Sequence, residues 1–120
     1  MSCEAKERNT HGHVEIVLPP HLTCVDLERE LTRATSEIAQ AKRPVGLLVD
    51  CRKMQDYETD TRRMFIDWNA SQRDKVRSVA LVTAKASLRV VIGAMAMSSG
   101  QKMKIFDDLQ TAQTWASQLQ

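Results

Sequence analysis

Three observations in this chain predict an α/β domain: four or five mostly parallel strands in a mixed sheet, with about four flanking helices. Strand-period and helix-period segments alternate from His13 to the end of the sequence. Two short runs, VGLLV (45–49) and VRSVALVT (76–83), are apolar almost throughout, as strands covered on both faces are. Residues 103–120, MKIFDDLQTAQTWASQLQ, read as a short alternating strand feeding an amphipathic helix, which makes a complete βα unit.

Taken in order, the elements justify themselves. HVEIVL (13–18) alternates at the strand period, with Val14, Ile16 and Leu18 on one face. Residues 3–9 form a candidate edge strand, joined to it through Thr10, His11 and Gly12. Pro19 and Pro20 stop the strand. Leu27, Leu31, Ala34, Ile38 and Ala41 then recur at helical spacing, with Thr23 or Asp26 as cap and Pro44 as stop. A polar loop follows the strand at 45–49, and a helix is expected from about Glu58 to Asp74 with Met64, Phe65 and Trp68 inward. Residues 86–99 read as a helix closed by Gly100. The last helix carries Leu109, Ala112, Trp115, Ala116 and Leu119 on one stripe. No linker, repeat or low-complexity segment interrupts the series, so residues 1–120 are expected to be one domain.

Composition narrows the function classes. A net charge of +2 and the lack of basic residues interleaved with aromatics argue against a nucleic-acid partner. Five basic residues against one acid between Arg73 and Arg89 read as a solvated rim. The first residues, MSCEAKERNTHGH, have no apolar core and do not read as a signal peptide. The longest apolar stretch, LRVVIGAMAM, is about half of the roughly 20 residues a membrane span needs, so stable insertion is not expected. Three irregularly spaced cysteines do not form a disulfide framework and point to a reduced, cytoplasmic setting.

The order of elements, and in particular GLLVD (46–50), SVALVT (78–83) and KIFDDLQTAQTWASQL (104–119), resembles the SpoIIAA-like domains. These are related to the STAS anti-sigma-factor antagonists and more distantly similar to the CRAL-TRIO lipid carriers. The resemblance runs from His13 onward and implies a mixed sheet of four or five strands flanked by helices. It also implies a phosphorylatable serine in an Asp-Ser-Ser-Gly loop after the strand that ends in Asp. This chain departs from that pattern: the corresponding stretch, DCRKMQDYETDTRRM (50–64), contains no Ser and no Gly. Only Thr59 and Thr61 fall in the phosphosite-equivalent loop, among Asp56, Glu58 and Asp60, whose carboxylates repel a phosphate. They read as an N-cap and a first-turn residue.

No catalytic motif emerges, and no cofactor or metal is implied. Cys51 follows a central strand, where open α/β sheets often place ligands. Arg52 and Lys53 adjoin it, but no histidine is close in sequence, so it reads as a buried structural thiol. Cys3, His11 and His13 fit no zinc spacing and read as an exposed turn. Asp107 and Asp108 read as helix-capping acids, with Gln110 completing a box with Asp107.

The segment 86–99 is unusual because it is apolar on two sides. Leu88, Val91, Ile92 and Met95 form one stripe, while Val90, Gly93, Ala94 and Met97 lie opposite, with Arg89 the one charge. A helix apolar all round needs cover on both sides. Val90, Ala94 and Met97 are therefore the candidate interaction face, covered by the N-terminal arm, a second copy in a homodimer, a protein partner or a hydrophobic ligand. The leading expectation is a non-catalytic regulatory or protein-interaction module without the serine switch. The alternative is a small hydrophobic-ligand or lipid binder with a pocket at Met64, Phe65 and Met95. An enzyme acting through Cys51 ranks third.

Overall fold

The computed structural model describes residues 13–86, 89 and 102–118. Its main sheet has four strands, β1 (His13–Val17), β3 (Val45–Asp50), β5 (Val76–Val82) and β6 (Met103–Phe106), in the order β1-β3-β5-β6. All neighbouring pairs are parallel, so the sheet is not mixed among the described residues. The expected segment at residues 3–9 and the helix at 86–99 lie outside the described residues, apart from Ala86 and Arg89. Three helices are therefore described where about four were expected: α1 (Cys24–Gln40), α2 (Asp60–Ser71) and α3 (Leu109–Ser117).

The central strands are sealed on both faces. Every residue of β3 is buried, and β5 is buried at all positions but Arg77. Helix α1 delivers Leu27, Leu31, Ala34 and Ile38 to one face, at the spacing the sequence displays. They pack with Val14, Ile16, Leu47, Val49, Val79, Leu81 and, from α2, Phe65. Ala112 and Ala116 of α3 close the other face over Leu48, Ala80 and Val82.

The helix ends follow local chemistry. The Thr23 hydroxyl accepts from the Asp26 N–H at 3.1 Å and starts α1. At α3 the cap is Asp108, not Asp107: its carboxylate accepts from the Thr111 N–H at 2.8 Å. Thr111 therefore stands where Gln110 was expected, because the helix begins at Leu109 and leaves Asp108, not Asp107, at the N-cap. Thr59 occupies the N-cap of α2 but makes no side-chain cap bond. Helix α2 ends at Ser71, earlier than expected, and residues 72–75 form a tight turn into β5.

The loop after β3 contributes one strand of a second, smaller sheet that sequence periodicity did not reveal. Strands β2 (His21–Leu22) and β4 (Asp56–Tyr57) pair in parallel. Two residues are too few to display a period. Cys51 and Met54 of the same loop are buried, so this stretch is less polar in space than in sequence.

Candidate functional site

In a parallel sheet the carboxyl ends of the strands are the ordinary place for a ligand. Here that edge carries Asp50 at the end of β3, Cys51 and Arg52 just after it, and Thr83 and Lys85 after β5. Its charged groups are engaged with one another and with the backbone. The Asp50 Oδ1 accepts from the Arg52 backbone N–H at 3.1 Å and from its Nε at 2.9 Å, and Oδ2 accepts from Nη2 at 2.8 Å. Burial opposes ionisation of Asp50, but the Arg52 hydrogen bonds and charge outweigh it and hold the carboxyl below its ordinary value. Lys85 Nζ donates to the Met54 carbonyl at 2.7 Å, and the Lys85 N–H donates to the Thr83 hydroxyl at 3.2 Å.

Cys51 sits within this knot and is 3% exposed. Burial, reinforced by the Asp50 charge, pushes its thiol up to about 12. A thiol in that state is protonated near neutrality and is a poor nucleophile.

A second polar constellation joins β1 to α3. His13 Nδ1 lies 2.8 Å from Ser117 Oγ, and His13 Nε2 lies 2.8 Å from Glu15 Oε2. Gln113 Nε2 donates to the same Glu15 oxygen at 2.9 Å. With the Nε2 proton assigned toward Glu15, Nδ1 accepts the serine proton. These four residues line one side of an open groove of about 520 Å³. The order hydroxyl, imidazole, carboxylate is that of an activated nucleophile. Ser117, however, lies in the last turn of α3, at the negative end of the helix dipole, which disfavours a developing oxyanion.

The expectation of an exposed turn at His13 is corrected. His13 opens β1 and is 8% exposed, because strand alternation turns it and Glu15 toward α3 while Val14 and Ile16 face the opposite layer. The alternation in HVEIVL carried that signal; the partners, about a hundred positions away, did not show in sequence.

The basic rim is corrected at one position: Arg73, Lys75, Lys85 and Arg89 are exposed, as a solvated rim requires, whereas Arg77 is half-buried. Arg77 is a clamp on backbone carbonyls, donating to Ala116 at 2.8 Å, Gln118 at 2.9 Å and Pro44 at 2.6 Å. It satisfies the carbonyl end of α3 and ties it to the start of β3.

Other expected residues are placed as follows. Phe65 is 8% exposed in the main core, with the Trp68 ring 6.0 Å away, and Met64 packs half-buried against the same cluster. Thr61 is buried and its hydroxyl donates to the Glu58 carbonyl, while Thr59 is exposed. Val90, Ala94, Met95 and Met97 lie outside the described residues. Among the described residues, no group of three or more His, Cys, Asp or Glu side chains is arranged to hold a metal. No helix among them is long and apolar enough to cross a membrane.

Four parallel strands covered by two helices on one face and one on the other define a small layered α/β module. The chain belongs to the SpoIIAA-like family, whose model matches residues 14–117. It is similar in fold to an uncharacterized protein of the DUF3478 family with a SpoIIAA-like fold from Shewanella loihica PV-4. The TM-score is 0.66 at 16% sequence identity, covering 87% of this chain and 82% of that one. A comparison with curated proteins gave no match.

Proposed function

We infer that this chain is a non-catalytic regulatory or protein-interaction module that acts by contact with a protein partner or a second copy of itself. The observation that carries this reading is the closure of the loop after β3, where Asp50 is bound through both carboxylate oxygens to Arg52. That loop contains no serine. The one buried hydroxyl at the start of α2, on Thr61, is turned back to the Glu58 carbonyl. Glu58 and Asp60 next to it oppose a phosphate. The Cys51 thiol is withdrawn from reaction by burial.

The contact face is assigned to Val90, Ala94 and Met97, from the two-sided apolar pattern of the 86–99 segment. The whole chain acts as one domain in this reading. Its setting is the cytoplasm, consistent with free thiols at Cys24 and Cys51.

Light scattering over a range of concentrations tests this reading. The weight-average mass is expected to rise with concentration, and Met97→Glu is expected to lower it by placing a charge in the contact. A strict monomer that Met97→Glu leaves unchanged removes self-association through this face.

A further inference from the structure

The two edges of the main sheet differ in how their outward backbone groups are treated. At β1 the outward Glu15 carbonyl accepts a hydrogen bond from Arg33 Nη2 at 2.8 Å, and Pro19 and Pro20 end the edge. At β6 the groups facing β5 are those of the even-numbered residues, since the Val79 N–H donates to the Lys102 carbonyl and the Thr83 N–H to the Phe106 carbonyl. Strand alternation therefore turns the N–H and C=O groups of Met103 and Ile105 outward, along an edge that no other described strand covers.

We propose that β6 is a self-pairing edge: two copies of this chain join antiparallel about Ile105 and continue the four-stranded sheet across a two-fold axis. The register follows from three requirements. A two-fold axis perpendicular to the sheet keeps each face in place, so residues of equal parity must oppose one another. Outward-facing groups must meet, which sets Ile105 against Ile105 of the second copy and Met103 against Asp107. Charges must complement, and this register sets Lys102 against Asp108. Centring instead on Lys104 would set that lysine against its own copy, a like-charge pair directly opposed.

The side chains fit the same register. Met103 and Ile105 already pack half-buried against the main core, so the partner Ile105 extends an apolar layer. Lys104 Nζ lies 5.5 Å from the centre of its own Phe106 ring. In the pair it also faces the ring of the second copy, a cation against a second aromatic face. The edge is only four residues long, so the association is weak and concentration-dependent.

This inference does not depend on the 86–99 face, and its test separates the two. Amide hydrogen exchange on the whole chain is measured at low and high concentration. The Ile105 amide is expected to gain at least about tenfold protection at high concentration, while the Lys104 amide, bonded to β5 throughout, does not change. Ile105→Pro removes an outward N–H and no bond to β5, and is expected to abolish the concentration dependence. Lys102→Glu opposes Asp108 with a like charge and guards against misfolding of the proline variant; it is expected to weaken pairing at least about tenfold at low salt. A chain that stays monomeric at high concentration overturns the proposal. So does a dimer in which Ile105 exchanges as in the monomer, or one that Met97→Glu dissolves and Lys102→Glu leaves intact.

Discussion

A β-carbon placed on Gly46 would sit 2.0 Å from the Ala116 carbonyl oxygen. The closing helix α3 thus lies directly on the backbone of the central strand β3, and Arg77 donates to the same carbonyl from the neighbouring strand. Glycine is required here by space, since the obstacle is backbone and cannot rotate away.

Gly46→Ala is therefore expected to destabilise the chain by about 3 kcal/mol, the upper end of what overpacking costs. Denaturant unfolding measures it. A loss below about 0.5 kcal/mol, the range of an ordinary surface substitution, would mean that α3 does not sit on β3 in this way.

Arg52→Ala removes the partner of Asp50, a carboxylate whose side chain is 8% exposed. The expected cost is about 1–3 kcal/mol at neutral pH, the penalty of leaving a buried polar group without its hydrogen bonds. The sign with pH follows from the depressed carboxyl. In the native protein the Asp50 contribution is present above the unfolded value of about 3.9 and is lost as pH falls through the lower folded value. The difference between native and variant protein should therefore shrink below about pH 4. Unfolding curves at several pH values check this, and a gap that widens in acid would contradict it.

Cys51 should stay unmodified by thiol reagents near neutral pH until the chain unfolds, because its thiol is pushed up to about 12 and is 3% exposed. Labelling followed by peptide mass analysis reads the site directly. Modification of Cys51 in folded protein at the rate of a free exposed thiol would reopen a covalent role for it.

Ser117→Ala breaks the hydrogen bond to His13 and leaves a mostly buried imidazole with one partner fewer. It is expected to cost about 1 kcal/mol of stability. Because Ser117 lies at the carbonyl end of α3, it is not expected to change hydrolysis of activated esters. Ester hydrolysis above background that Ser117→Ala abolishes would make the His13, Glu15 and Ser117 constellation catalytic.

Much of the scaffold is legible from the chain because single-element periods encode it. Leu27, Leu31, Ala34 and Ile38 mark α1, and the uninterrupted VGLLVD marks a strand covered twice. What stayed hidden depends on pairs brought together only by folding. His13 and Ser117 are 104 positions apart, and their meeting depends on α3 settling over Gly46. Arg77 reads as a rim charge until the carbonyls of Pro44, Ala116 and Gln118 converge on it. The loop after β3 was legible in what it lacks, a serine and a glycine, but not in the Asp50–Arg52 closure that replaces an open loop.

Native mass spectrometry of the protein purified from the cells that make it decides between a contact module and a ligand carrier, since one spectrum reports bound molecules and copy number together. Protein-only species are expected, one copy at low concentration and two copies or a protein complex at high concentration. A stoichiometric small hydrophobic molecule or lipid carried on the chain would contradict the contact reading and assign the module to ligand binding.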